Sequence, residues 1–178
     1  MSKIILILIS LLLGGNFSEE ITREDSKETV QEEYLLGKFQ RKELEQKPYS
    51  YWFSRGYKSY KPEEAQMKRI KENISEYEIF LFMGTWCADS QLEVPKLFKI
   101  LDQSGYDPTK LTSIAVDLYK ETPNHIEKEF NVMLVPTIIF YKDGKEVNRF
   151  VEFPMETFEE DIADIVSEKS YKNPYADF

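Results

Sequence analysis

The chain has 178 residues, 42% of them hydrophobic and 14% aromatic, which predicts one domain with a buried core plus extensions. Its formal net charge of -9 excludes nucleic acid and anionic membrane surfaces as expected partners, because both are bound through basic patches. A single cysteine, Cys87, excludes an internal disulfide, and with a single histidine, His125, a structural zinc site is not expected.

The N-terminus has the pattern of a secretory signal peptide. Lys3 gives a positive start, residues 4–13 form an apolar run, and Gly14-Gly15 supplies small residues for cleavage. The run is shorter than the roughly 17–25 residues of a transmembrane helix. We therefore predict a signal peptide over residues 1–15, export to the periplasm and no stable membrane insertion after cleavage. An uncleaved membrane anchor and a buried N-terminal strand are the alternatives.

Two segments of different composition follow. Residues 16–33 are polar and acidic and are predicted to form a flexible tether. In residues 34–61 apolar side chains recur at roughly helical spacing, and five aromatic residues lie between Pro48 and Tyr57. This density favours a helical, aromatic-rich N-terminal extension that caps the core, with a ligand-binding surface as the alternative.

The main domain is predicted over residues 62–170, followed by a C-terminal tail over residues 171–178. Its predicted elements are a helix over 62–75, a strand over 78–83, a helix over 91–103, a strand over 111–117, a helix over 124–131, strands over 137–141 and 146–151, and a helix over 155–168. A turn at Asp143-Gly144 makes the last two strands a hairpin, whereas helical crossovers join the earlier ones. The fold class is therefore α/β, a central mixed sheet flanked by helices, with the last strand at an edge.

Cys87 lies where the strand over 78–83 leads into the next helix. The first backbone N–H groups of a helix point at a side chain placed there, so they stabilise a thiolate, the nucleophilic form of cysteine. Trp86 would cover one side of the sulfur, and Asp89 would oppose a second negative charge. A small buried hydrophobe is the alternative for a lone cysteine, but this context favours chemistry.

Other side chains around this helix have simpler interpretations. Leu92 is expected to face the core with other apolar residues of the helix, and Pro95 is expected to kink it. Glu93 and Lys96 are expected at the surface, with tuning of the cysteine as the alternative. His125 is predicted to be a surface or capping residue. The acidic run of residues 159–161 in the last helix is predicted to be a solvated face.

Several motifs together resemble thioredoxin over residues 62–168. They are Trp86-Cys87-x-x-Ser90 after an apolar strand, Pro95 within the following helix, Val135-Pro136-Thr137, and the run from Phe140 to Lys145. More closely, the chain resembles exported Bacteroidetes thioredoxin-family proteins with a WCxDS single-cysteine motif. The residues that carry this second resemblance are Gly84 to Ser90, Glu93-Val94-Pro95 and the aromatic lead-in from Pro48 to Phe53.

The resemblance implies a role for each matching residue. Cys87 would be the attacking thiolate, with Trp86 beside it. Pro136 would be the cis proline that orients a bound peptide, and the backbone of Val135 would pair with that peptide as an added strand. Ser90 occupies the position of the second, resolving cysteine.

A second departure concerns Leu81, which stands where many thioredoxins keep a buried Asp. The two departures agree, because transferring a proton from a second thiol has no purpose without that thiol. Cys87 alone can attack a disulfide, but it remains in the mixed disulfide until an outside thiol releases it. Ser90 cannot resolve that bond, although its hydroxyl can donate a hydrogen bond to the thiolate.

Three functions stay open. The first is a monothiol thiol–disulfide oxidoreductase or isomerase acting through a mixed disulfide at Cys87. The second is a thioredoxin-fold binding or chaperone module that uses the groove beside Pro136. The third is a redox sensor whose thiol is oxidised to sulfenic acid or capped by a small thiol. No cofactor or metal is expected beyond a small-thiol reductant as co-substrate. The expected partners are protein thiols and disulfides or a small thiol.

Overall fold

The structure is a computed structural model that describes residues 34–177. The predicted signal peptide and acidic tether therefore lie outside the described residues. The strands are β1 (Gly37–Phe39), β2 (Glu78–Met83), β3 (Leu111–Ala115), β4 (Thr137–Lys142) and β5 (Lys145–Val151). The α-helices are α1 (Arg41–Leu44), α2 (Ser50–Ser59), α3 (Glu64–Asn73), α4 (Ala88–Ser104), α5 (Ile126–Glu129) and α6 (Phe158–Val166), and two 3-10 turns cover Ile74–Glu76 and Pro108–Lys110.

The described strands form one mixed sheet in the order β1-β3-β2-β4-β5. β2 and β3 are parallel, and the other neighbouring pairs are antiparallel. Asp143 and Gly144 both have left-handed backbones, with φ of 52° and 73°, as a two-residue hairpin between β4 and β5 requires. The predicted α/β fold, a mixed sheet flanked by helices with β5 at one edge, is confirmed.

The other edge strand, β1, was not predicted. It lies within the N-terminal extension and pairs antiparallel with β3, with Gly37 opposite Ala115 and Phe39 opposite Ser113. The extension therefore begins with a strand of the sheet, although the sequence pattern of residues 34–61 indicates only helix. Three residues are too few for strand periodicity to show, and their partner strand is distant in the sequence.

The two faces of the sheet carry two apolar clusters, which follow the alternation of side chains along a strand. In β2, Ile79, Leu81 and Met83 belong to the larger cluster, which includes side chains of α2, α3, α4 and α6. Phe80 and Phe82 point to the opposite face, where Phe82 belongs to a smaller cluster and Phe80 packs against it. Side chains of α5 and of the residues next to it also belong to this smaller cluster or pack against it. Helices therefore cover both faces of the sheet.

α4 is the longest helix among the described residues and begins directly after Cys87. Gly105 ends it with a left-handed backbone, φ 73°, which glycine adopts without strain. Pro95 lies inside the helix, at the position where a kink was predicted. The prediction that Leu92 faces the core is wrong, because its side chain is 57% exposed. Its neighbours Glu93 and Val94 are buried instead, so the buried stripe of α4 is rotated away from Leu92.

The aromatic extension packs onto α4 as part of the core. Phe53 of α2 is 2% exposed and meets Phe98 edge to face, with ring centroids 5.6 Å apart. A Cβ atom on Gly56 would lie 2.9 Å from Cβ of Pro95, so the approach of α2 to α4 requires glycine there. The aromatic side chains of the extension thus pack against the core, and the extension is not a linker.

Arg41 ties the extension to α4 from outside the core. Its Nη1 atom lies 2.9 and 2.7 Å from the two carboxylate oxygens of Asp102, and the guanidinium lies 5.0 Å from the ring centroid of Tyr57. The Tyr57 hydroxyl donates to the same carboxylate at 2.6 Å.

Within residues 34–177, no helix has the length and apolar character that a membrane crossing needs.

Replacing Phe53 tests whether the extension and the domain fold as one unit. We expect Phe53→Ala to lower the free energy of unfolding by about 3–5 kcal/mol, since it leaves a cavity against Phe98. Tyr51→Ala is the matched control on the same helix, because Tyr51 is 76% exposed, and its effect should stay within about 0.5 kcal/mol. Urea unfolding measures both changes. A Phe53→Ala effect as small as the control would show that the extension is peripheral.

Candidate active site

The loop before α4 is a tight turn that presents Cys87. The Cys87 N–H donates to the carbonyl of Gly84 at 3.0 Å, and the Cys87 carbonyl accepts the first helical hydrogen bond from Gln91 at 3.0 Å. Cys87 itself has extended backbone angles, φ -81° and ψ 126°, and is the N-cap of α4. Its side chain therefore lies at the positive end of a 17-residue helix.

The sulfur of Cys87 meets the start of β4. Its Sγ atom lies 3.2 Å from the carbonyl oxygen of Val135 and donates to it, and the thiol is partly buried. The Val135–Pro136 peptide bond is cis. Val135 and Pro136 are buried. The structure thus brings the predicted thiol into direct contact with Val135, one member of the predicted peptide-binding pair.

Trp86 is held beside the thiol by a hydrogen bond and by a close backbone approach. Its Nε1–H donates to the carbonyl of Val116 at 3.1 Å, and the half-buried ring packs on the smaller apolar cluster. A Cβ atom on Gly84 would lie 2.6 Å from Cε2 of this ring. Glycine at position 84 is therefore required for the indole to lie over the turn.

Ser90 is fully buried, three residues after the cysteine. Its Oγ atom accepts a hydrogen bond from the Gly84 N–H at 3.2 Å, which links the first turn of α4 back to the end of β2. Leu81 is also fully buried and belongs to the larger apolar cluster. The position where many thioredoxins keep a carboxylate is thus filled by hydrocarbon.

Thr85 is a residue of this loop to which the sequence assigned no role. Its buried Oγ1 atom accepts a hydrogen bond from the Leu35 N–H at 3.2 Å, and its carbonyl accepts from the Gln91 side chain at 2.8 Å. Leu35 belongs to the N-terminal extension, so the extension fixes the loop that carries the thiol. The only sign of this role in the sequence was the position of Thr85 within the cysteine motif, and that position did not reveal Leu35 as its hydrogen-bond partner.

These features can be compared with known proteins. A family model described as Thioredoxin matches residues 38–165, which is more than half of the chain. The chain belongs to the thioredoxin family. The match covers all five strands except the first residue of β1, together with the turn of Cys87 and the Val135–Pro136 bond.

Curated relatives agree with this family. Thioredoxin of Listeria monocytogenes is 33% identical over 82 residues, which cover 46% of this chain and 75% of that protein. Thioredoxin of Bacillus subtilis is 35% identical over 80 residues, covering 44% of this chain and 72% of that protein. Among solved structures, a protein of unknown function from Pseudomonas aeruginosa has a TM-score of 0.52 at 13% identity, covering 67% of this chain and 84% of that chain. At this identity the likeness concerns the fold alone.

Glu93 was predicted to lie at the surface of this thioredoxin-family domain, and that prediction is wrong. It is 2% exposed, and burial raises the pKa of its carboxyl group, while Lys96 opposes the increase. Lys96 Nζ lies 2.9 Å from both carboxylate oxygens but meets hydrogen-bond geometry only with Oε1, so buried Oε2 has no hydrogen-bond partner among residues 34–177. The Tyr60 ring of the extension lies on Lys96, 5.9 Å from Nζ, which explains why the sequence of α4 alone gave the wrong exposure.

Two of the three acids at the start of α6, Glu159 and Asp161, are buried and are therefore not part of the predicted solvated face. Glu159 is 7% exposed and accepts a hydrogen bond from the Tyr60 hydroxyl at 2.7 Å. Asp161 is 2% exposed and accepts from the Met155 N–H at 2.8 Å and the Tyr171 hydroxyl at 3.0 Å. Burial raises the pKa of Asp161, and these hydrogen bonds oppose the increase. Partners from the extension and the tail thus make burial of these carboxylates possible.

His125 lies apart from these acids and is exposed, as predicted for a surface residue; it occupies the N-cap position of α5, but its side chain makes no capping hydrogen bond there. Glu121, His125 and Glu127 have one potential metal-ligand atom each within 4.8 Å of one another. The buried Glu127 carboxylate already accepts hydrogen bonds from the Thr122 N–H and hydroxyl at 2.9 and 2.7 Å. These hydrogen bonds give the Glu127 carboxylate a structural role, which is to close the turn before α5.

The burial of Glu93 predicts a specific dependence of stability on pH. Its pKa in the folded state is raised above that of the unfolded chain, so the folded protein pays an ionisation penalty that grows as pH rises above the unfolded value. Glu93→Gln should therefore be more stable than the wild-type protein at neutral pH. The difference should disappear below the unfolded pKa, where both states are protonated.

Urea unfolding at a series of pH values measures this difference. Glu72→Gln on α3 is the matched control, because Glu72 is exposed and its replacement should change stability little at any pH. A Glu93→Gln variant that is less stable than wild type at neutral pH would contradict the account and show that the Lys96 pair outweighs the burial penalty.

Proposed function

We propose that this thioredoxin-family protein carries out thiol–disulfide exchange with a single thiol, forming a mixed disulfide at Cys87. The observation that supports this most is the position of the sulfur, at the N-terminus of α4 and 3.2 Å from the carbonyl of Val135. A helix N-terminus favours the thiolate, and the adjacent backbone offers a place where a peptide can pair beside it. The chain holds no second cysteine to resolve the product.

The reaction balances with one protein sulfur. The Cys87 thiolate attacks one sulfur of a partner disulfide, the Cys87–partner S–S bond forms, and the other partner sulfur leaves as a thiolate that solvent can protonate. An outside thiolate then attacks the mixed disulfide, takes the partner sulfur into a new disulfide and returns Cys87 to the thiolate. If a different thiol of the same partner attacks the mixed disulfide instead, a new disulfide forms within the partner and Cys87 leaves as the thiolate, so the outcome is isomerisation of the partner's disulfides.

The neighbouring residues have supporting roles in this proposal. Trp86 shields one side of the sulfur, and its indole is fixed by Val116. Val135 and Pro136 position the partner strand next to Cys87 through backbone pairing. Ser90 already accepts one hydrogen bond from Gly84, and a hydroxyl that accepts can also donate, so its proton can turn towards the thiolate.

The finer resemblance suggests where this exchange takes place. The WCxDS stretch and the aromatic lead-in support a relationship to exported single-cysteine proteins of the family, and the N-terminal pattern supports export to the periplasm. The proposed partners there are protein thiols and disulfides, with a small thiol as the releasing reductant. Detection of the mature N-terminus after residue 15 in a periplasmic fraction tests this part of the proposal.

The proposal predicts that folding accelerates the reaction of Cys87 with a disulfide. The test substrate is a cysteine peptide activated as a mixed disulfide with thionitrobenzoate, whose release is followed by absorbance. We expect the folded chain to release thionitrobenzoate faster than the same chain unfolded in denaturant, because the helix N-terminus acts only in the fold. Cys87→Ser should release none, and Ser90→Ala should still form the adduct.

Two results would overturn this function. Release by Cys87→Ser would place the reaction elsewhere. A folded Cys87 that reacts no faster than the unfolded one would show that the fold does not activate the sulfur, and a binding module that uses the groove beside Pro136 would then be the better interpretation.

A further inference from the structure

The C-terminal tail, residues 171–177, returns to the domain after α6. It lies outside the segment that matches the family model, so it is an addition to the thioredoxin domain. The carbonyl of Tyr171 accepts a hydrogen bond from the Asn148 side chain of β5 at 3.0 Å, and its hydroxyl donates to Asp161. These two bonds anchor the start of the tail on the edge strand and on α6.

Further along, Tyr175 brings the tail to the loop that carries the cis peptide bond. Its hydroxyl donates to the Glu152 carboxylate, and its ring meets Phe153 edge to face with centroids 6.3 Å apart. The Glu152 N–H donates to the Pro136 carbonyl at 2.8 Å. A short chain of contacts therefore runs from Tyr175 through Glu152 to Pro136, directly beside the residue that contacts the Cys87 sulfur.

A cavity of about 220 Å³ lies between the tail and this loop. Leu134 and Thr137, which flank the Val135–Pro136 pair, line one side of it, and Tyr175 and Ala176 line the other. Met133 also lines the cavity, and it is 79% exposed. Since the tail supplies one wall, the cavity exists only while the tail is in place.

The charge at the cavity rim is already neutralised. Arg149 lines the cavity, but its Nε and Nη2 atoms donate to the two carboxylate oxygens of Glu146, each at 2.6 Å. Its Nη1 atom donates to the carbonyl of Asn131 at 3.3 Å. With the cation paired, the groups that remain to meet a ligand are mainly apolar, so the cavity suits a neutral hydrocarbon side chain.

We propose that this cavity is a subsite for an apolar side chain of the peptide partner whose disulfide reacts with Cys87, and that the tail makes the thiol selective for such partners. This inference rests on the proposed exchange function. A strand paired with Val135 advances by about 3.3 Å per residue, so a side chain one or two residues from the reacting cysteine lies beside Leu134 or Thr137. The tail thus acts as a specificity element rather than as part of the reacting group.

Matched peptides test the subsite on the full-length chain. Five pentapeptides have a central cysteine activated with thionitrobenzoate; four carry Leu at one of the flanking positions with Ser elsewhere, and the fifth has Ser throughout. We expect the wild-type chain to react with one Leu peptide about tenfold faster than with the all-Ser peptide, equivalent to about 1.4 kcal/mol in the barrier. Deleting residues 173–178, or Tyr175→Ala, should bring that ratio close to unity, because the wall of the cavity that meets the Leu side chain is lost.

Tyr51→Ala controls for the loss of an exposed aromatic residue elsewhere and should keep the Leu preference. Equal wild-type rates with all five peptides would overturn the subsite, and so would a Leu preference that survives deletion of the tail. Faster reaction of the shortened chain with every peptide would also overturn it, because the tail would then be an obstruction. No reaction with any peptide would instead refute the proposed function itself.

Discussion

The contact between the Cys87 sulfur and the Val135 carbonyl oxygen, 3.2 Å long, joins the two halves of the molecule that make a reactive site. One half is α4, which carries Cys87 at its N-cap. The other is the start of β4 with its cis peptide bond. The antiparallel pairing of β2 with β4, in which Phe82 lies opposite Thr137, brings the end of β2 and the start of β4 to the same end of the sheet. Trp86, Gly84 and Ser90 then hold the intervening turn in shape.

The N-terminal extension and the C-terminal tail both reach this turn or the loop beside it. The N-terminal extension reaches it through Leu35, whose N–H bonds to Thr85, and the C-terminal tail reaches the cis-proline loop through Tyr175 and Glu152. The extension also covers Lys96 and supplies the hydroxyl of Tyr60 to the buried Glu159. Two segments at opposite ends of the described chain thus support the loops beside one thiol, and we propose a structural role for the extension and a selective role for the tail.

Local patterns predicted much of this arrangement. The order of elements from β2 to α6 follows from apolar periodicity, and Asp143-Gly144 specifies its hairpin, because both signals are contained in a few neighbouring residues. The position of Cys87 at the start of a helix can also be predicted from neighbouring residues alone. The predictions that failed depend on partners distant in the sequence. β1 requires β3, Glu93 and Lys96 are covered by Tyr60 of the extension, and Asp161 is covered by Tyr171 of the tail. A polar residue that is covered by tertiary contacts is expected at the surface from its sequence alone, and Leu92, which is exposed, was expected in the core. Both errors arise because residue type alone does not show which face of a helix is covered.

The central claim is that Cys87 captures a partner that the chain cannot release by itself. The most direct test is the lifetime of a peptide mixed disulfide, followed by intact mass after excess reagent is removed, in the wild-type chain and in Ser90→Cys. The account predicts that the wild-type adduct persists until a small thiol is added. It also predicts that the Ser90→Cys adduct is lost without any added thiol as an internal disulfide forms. Loss of the wild-type adduct in the absence of an outside thiol would contradict the claim.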